Sequence, residues 1–149
     1  METRHGFTIF ELLVVMVIGA IMLAVVAPGV SQALAQTRVQ RAAAVVAGDL
    51  QMAHSLAARQ RAPVRVTVNT HSRNLVVHRA SSPDTVFSQR RLDSSSEYPL
   101  QSLTANNTHV VIYPNGLATG TTMPLKITLQ AAGRTREVSM NRVGQVRVK

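Results

Sequence analysis

The chain has 149 residues, 46% of them hydrophobic but only 3% aromatic, with no cysteine and with 16 basic against 7 acidic residues for a net charge of +9. Beyond an N-terminal helix this leaves one domain of modest size, held by packing without disulfides or a thiol nucleophile, and with few aromatic platforms for stacking nucleobases. From residue 31 onward 15 basic residues face 5 acidic ones, a net of +10, which points to contact with nucleic acid, anionic lipid or acidic protein, or to simple solubility.

The chain opens with Gly6-Phe7-Thr8-Ile9-Phe10-Glu11-Leu12-Leu13, followed by an apolar run over residues 12–27. At about 1.5 Å per helical residue, residues 7–27 cover a hydrocarbon core of about 30 Å. Arg4 and His5 precede the run and favour a cytoplasmic N-terminus, with everything after Pro28 exported. Glu11 is out of place here. A charged side chain at bilayer depth costs about 2.5–3.5 kcal/mol on insertion scales, and nothing in the apolar run neutralises it, so it needs a partner.

Three readings fit this segment: a permanent anchor, a secretory signal peptide and a prepilin leader. Ala33-Leu34-Ala35 has the small-x-small form of a signal peptidase site. Against the signal peptide, Glu11 interrupts the passage from basic leader to apolar core, the run is long for such a signal, and the helical pattern continues past Ala35.

At these residues the chain resembles the type IV prepilin family, whose members carry a short basic leader ending in Gly, then Phe-Thr-x-x-Glu-Leu and an apolar helix. The resemblance implies cleavage between Gly6 and Phe7 by the prepilin peptidase and N-methylation of Phe7. It also implies a subunit held in inner-membrane lipid, single-pass with a periplasmic C-terminal head, until it joins other pilin or pseudopilin subunits. Glu11 would then pair with the new amino group of a neighbouring subunit during assembly. Electrostatics agrees, since a carboxylate in apolar surroundings is strongly stabilised by a cation placed beside it.

Pro28 and Gly29 follow the apolar run. Proline removes a backbone donor and kinks or breaks a helix, so the expectation is one long helix bent at Pro28, or else two helices joined by a turn. Val39, Ala43, Val46, Leu50, Ala53 and Ala57 recur at alternating steps of four and three, which predicts an amphipathic helix over 31–62. Arg38, Arg41, Gln51 and Arg59 fall largely off the stripe, and Pro63 ends it. The stripe is assigned to the head's own core.

After Pro63 the period becomes two. Strands are predicted over 64–68, 75–78, 85–92, 109–113, 124–130, 134–140 and 145–148, with a turn at 69–74 and exposed loops at Ser94-Ser95-Ser96 and Ala105-Asn106-Asn107-Thr108. The predicted class is α+β: a long N-terminal helix, half membrane and half amphipathic, packed on a mostly antiparallel β head. The expected organisation is a leader at 1–6, a membrane or filament-core helix at 7–30, the amphipathic helix at 31–62, and a head at 63–149 that forms one domain with it.

Val110-Val111-Ile112-Tyr113-Pro114-Asn115-Gly116, then Val138-Ser139 and Gly144-Gln145-Val146-Arg147-Val148, make up a second distinctive stretch. Pro114-Asn115-Gly116 forms a turn, with proline presetting one φ and glycine accepting a positive one. These pieces are similar to the C-terminal half of the pseudopilin H and FimT group of minor pilins; residues 70–108 carry no such resemblance. Pseudopilin H members belong to the type II secretion filament. FimT-like members belong to type IV pili, and some serve DNA uptake through a Gly-Arg-x-Arg element.

Gly133-Arg134-Thr135-Arg136 matches that element, and Arg142, Arg147 and Lys149 follow it. The resemblance thus adds DNA as a candidate partner. Alternation puts Arg134 and Arg136 on one face of a strand, where both guanidiniums could meet phosphates without reading bases. A turn glycine before a solvated strand face yields the same four residues.

Support for an enzyme is slight. There is no Gly-x-Ser-x-Gly elbow and no phosphate-cradling Gly-rich loop. His5, His54, His71, His78 and His109 show no paired metal spacing, and Asp49, Asp84, Asp93, Glu97 and Glu137 are too dispersed for a carboxylate pair or calcium loop. His54 and His78 read as ordinary surface or packing residues. No cofactor or metal is implied, and the reading is a non-catalytic filament subunit.

Overall fold

The structure, a computed structural model, describes residues 8–149, with residues 26–28 described by their backbone alone. Helix α1 (Ile9–Gln60) begins where the sequence supplies a cap. Thr8 Oγ1 accepts from the Glu11 N–H at 3.2 Å, and the Thr8 carbonyl accepts from the Leu12 N–H at 3.2 Å. Thr8-x-x-Glu11 is the spacing of a capping box, and the acid stands in the first turn, where the helix dipole favours it. At the other end Arg61 takes a left-handed φ of 49°, a common way to end a helix. The helix thus stops at Gln60, ahead of Pro63. Pro28 lies inside α1, so a single helix forms in place of two joined by a turn.

The chain divides into two compact units between Leu34 and Ala35. In the first, the apolar side chains of α1 are open, from Ile9 at 85% exposed through Val25 at 73%. In the second, the stripe behaves oppositely: Val39, Ala43, Val46, Leu50, Ala53 and Ala57 are all at most 1% exposed. Alanine at three of these six positions keeps this face of the helix shallow.

The head is built from β1 (Val64–Asn69), β2 (Asn74–Arg79), β3 (Ser82–Arg91), β4 (Ser102–Ala105), β5 (His109–Ile112), β6 (Ala118–Thr119), β7 (Leu125–Ala131), β8 (Arg134–Met140) and β9 (Val146–Val148). They form two antiparallel sheets, in the orders β3-β2-β1-β5-β6 and β4-β7-β8-β9. Alternation sets their inner faces. Val64, Val66, Val68, Leu75, Val77, Val110 and Ile112 come from the first sheet, and Leu103, Leu125, Ile127, Leu129, Val138 and Met140 from the second. All join the α1 stripe in one buried cluster.

Two details depart from the sequence reading. Strands β4 and β6 were not expected. Asn107, placed in an exposed loop, is 4% exposed. Its amide Nδ2 donates to the Thr122 carbonyl while its Oδ1 accepts from the Thr122 N–H at 2.9 Å. Its neighbour Asn106 does the same work outside, donating to the Pro124 carbonyl at 2.8 Å and accepting from the Lys126 N–H at 2.8 Å. Together they fix the approach to β7 across the cis Met123-Pro124 bond.

Edge strand β3 is fastened to α1 by a two-point ion pair. Arg90 Nε donates to Asp49 Oδ2 at 3.0 Å and Nη2 to Oδ1 at 3.1 Å. Asp49 is buried while the Arg90 side chain is 35% exposed, so the pair sits between the surface and interior limits. Hydrogen bonding to Asp49 holds the guanidinium pKa above its ordinary value. Asp49→Ala should cost about 1–2 kcal/mol. Thermal unfolding of Asp49→Ala, Arg90→Ala and the double variant should show the second substitution adding little to the first.

Candidate functional site

The processing positions Gly6 and Phe7 lie outside the described residues. Glu11 stands on the exposed first turn of α1, flanked by Phe10 at 75% and Leu12 at 55% exposure. Its carboxylate is thus set among uncovered apolar side chains, and the next basic residue after it on α1 is Arg38.

The five C-terminal cations do not form one surface. Arg134 and Arg136 do share a face of β8, but alternation puts that face in phase with Val138 and Met140, which are buried. The two arginines therefore extend the inner face at the end of the strand, beside Gln36 and Val39 of α1, around a cleft of about 140 Å³. Arg147 pairs in register with Ser139. The Lys149 and Glu137 backbones exchange hydrogen bonds of 2.8 and 3.1 Å. Both basic residues thus lie on the outer face, with Lys126, which the sequence reading passed over although it alternates with Leu125 and Ile127. These three and Glu137 line an outer groove of about 430 Å³. Arg142 is exposed in the 141–145 turn, and its carbonyl accepts from the Ala118 N–H at 2.8 Å, joining the two sheets.

The second distinctive stretch folds into two loops that meet on His54 of α1. In 113–117, Gly116 N–H donates to the Tyr113 carbonyl at 2.9 Å and Tyr113 N–H to the Leu117 carbonyl at 2.8 Å. In 141–145, Asn141 Oδ1 accepts from Val143 N–H at 3.2 Å and Gln145 N–H at 2.9 Å. Gly116 (φ +84°) and Gly144 (φ +76°) both need the left-handed region, and both press on the imidazole. His54 Nε2 lies 3.3 Å from the Gly116 carbonyl oxygen, and a Cβ on Gly144 would stand 2.4 Å from His54 Cδ2. Of the surface and packing roles that the sequence reading allowed, the histidine has the second, with two loops leaning on it.

Residues 42–144 match the type II transport protein GspH family, spanning the buried stripe from Ala43 onward, the 113–117 loop, the 141–145 loop as far as Gly144, and Arg134, Arg136 and Arg142. The chain belongs to this family. In this GspH-family chain, residues 1–27 match the prokaryotic N-terminal methylation motif. The type IV minor pilin FimU of Pseudomonas aeruginosa (strain PAO1) has a similar fold. In one of its crystal forms it superposes with a TM-score of 0.61 at 16% identity, over 76% of this chain and 90% of FimU. In a second form the values are 0.57, 17%, 74% and 91%. No curated protein sequence matches the chain.

The GspH-family assignment, the methylation motif and the FimU fold support a minor pilin or pseudopilin, a class of structural subunits. Among the described residues, α1 is the single helix long and apolar enough to cross a membrane, with a mean hydropathy of 2.9 in its most apolar window. That fits membrane anchoring and pilus assembly. No group of three His, Cys, Asp or Glu side chains among the described residues could hold a metal ion.

Proposed function

We propose that the chain is a non-catalytic subunit of a type II secretion pseudopilus or type IV pilus. It is cut between Gly6 and Phe7 by the prepilin peptidase and N-methylated at Phe7. It is then anchored in the inner membrane by the apolar part of α1 with its head in the periplasm, and assembled with other pilin or pseudopilin subunits through that helix. The observation that carries this reading is α1 itself: one helix whose first stretch leaves every described apolar side chain open around Glu11, and whose later stretch is the core of the head. Assembly then gives Glu11 the amino group of a neighbour as its counter-ion, relieving a charge unpaired in the lone subunit. Glu11→Ala is expected to insert into membranes at the normal level yet be absent from sheared filaments; incorporation equal to the parent would refute the pairing.

A second reading, DNA capture for uptake by a FimT-like minor pilin, is favoured by Arg134 and Arg136 sharing one strand face at the end of β8. On that reading Arg134→Ala/Arg136→Ala lowers duplex affinity and flattens its salt dependence by about two phosphate contacts. The variant Arg147→Ala/Lys149→Ala, on the other face, does less. Equal losses from both pairs would mark the charge as generic.

A further inference from the structure

We infer that the arginines around α1 where it enters the head form a basic collar that rests on anionic phospholipid headgroups; the inference rests on the anchored-subunit reading above. Arg38 and Arg41 are exposed on one flank of the helix, in an open groove of about 730 Å³ shared with Glu97 and Tyr98. Arg134 and Arg136 stand beside Gln36 and Val39. At about 100° per residue, Gln36 and Arg38 point to opposite sides of the helix, so the two pairs bracket it. Among the described residues, Glu97 is the one carboxylate lining either cavity. Interaction with Glu97 raises the Tyr98 phenol pKa, and nearby Asp49 is taken by Arg90. The four arginines outnumber the one carboxylate, so the collar carries a net positive charge.

Its distance from the bilayer is bounded by the chain. Gln36 and Val39 are nine and twelve residues beyond Ala27, the end of the apolar run, and so at most about 14 and 18 Å along a helix from it. Headgroups occupy the first 5–7 Å or so of that distance, and the Debye length is about 8 Å at physiological salt. Helical side chains lean toward the N-terminus, and long arginine stems reach for the interface. Anionic headgroups are thus the polyanion this collar meets first and continuously, whereas the outer-face cations Lys126, Arg147 and Lys149 form a separate surface. Each arginine near an anionic leaflet should raise the docked population about fivefold.

The test uses the full chain in nanodiscs of phosphatidylcholine alone or with phosphatidylglycerol. Because the chain lacks cysteine, Gln40→Cys on the exposed side of α1 gives a single fluorophore site, read by quenching from headgroup-bound nitroxide. Quenching should be several-fold stronger with phosphatidylglycerol and fall in high salt. Arg38→Gln/Arg41→Gln should lower the docked-to-undocked ratio on the order of 20-fold, while Lys126→Gln/Arg147→Gln leaves it unchanged. Adding Arg134→Gln/Arg136→Gln should abolish it, with trypsin resistance of the head checking that each variant folds. Equal quenching in both discs, or equal loss from the outer-face pair, overturns the collar while leaving the anchor intact. Quenching indifferent to phosphatidylglycerol but reversed by duplex DNA would assign the arginines to nucleic acid. A chain that inserts into neither disc overturns both the anchor and the collar.

Discussion

Leu50→Asp is expected to leave α1 in the membrane and abolish the folded head. Leu50 is 0% exposed and among the largest fully buried side chains, at the middle of the stripe that both sheets cover. The substitution forfeits about 1.5–3 kcal/mol of apolar burial. It also puts a carboxylate where no cation is supplied, which costs several kcal/mol more whether the group stays ionised or takes up a proton. Natural domains of this size hold about 5–15 kcal/mol in total, so the loss consumes most or all of it. Leu50→Ala should cost about 2–5 kcal/mol and keep the fold. Trypsin digestion in detergent reads the difference, with Leu50→Asp cut rapidly throughout 64–149. An unaltered unfolding midpoint in Leu50→Asp would remove the stripe from the core.

Gly144→Ala is the second large effect, about 2–4 kcal/mol from two separable causes. A Cβ at φ +76° carries about 1–2 kcal/mol of backbone strain. The same Cβ would sit 2.4 and 2.5 Å from His54 Cδ2 and Nε2, so the imidazole must leave its place against the Gly116 carbonyl and both loops lose their post. Gly133 supplies the control, having the same φ of +76° with nothing within 4 Å of an added Cβ. Gly133→Ala should therefore show the strain alone. In thermal unfolding, Gly144→Ala should fall well below Gly133→Ala, and His54→Ala/Gly144→Ala should recover part of the gap. Equal midpoints for the two alanine variants would show that the loop yields without cost.

The helix and most strands were legible because each carries its period over enough residues. The stripe from Val39 to Ala57 repeats at helical spacing and is buried at every named position. Val64, Val66 and Val68 alternate with polar residues and point inward. Strands β4 and β6 escaped because four residues with one deeply buried leucine, and two residues, hold no period to read. Asn107 escaped because an Asn-Asn pair is loop chemistry by composition, and only the tertiary fold brings the Thr122 backbone to it. The common face of Arg134 and Arg136 was readable, and so was its phase with Val138 and Met140. That Arg147 and Lys149 lie on the opposite face follows from the β8 and β9 register, a pairing no alternation within one strand can reveal.

The post at His54 also bears on how fast the head forms. Its contact with the Gly116 carbonyl spans 62 residues, and the Gly144 loop that leans on it is more distant still, while β1 must wait for β5 to pair Arg65 with Val111. Closing such separations costs loop entropy before any contact repays it, so ordering should be slow and late. Until both loops arrive, a helix made early in synthesis shows an uncovered alanine, valine and leucine stripe. The interval between making that helix and covering it is when the chain is most prone to stick to copies of itself.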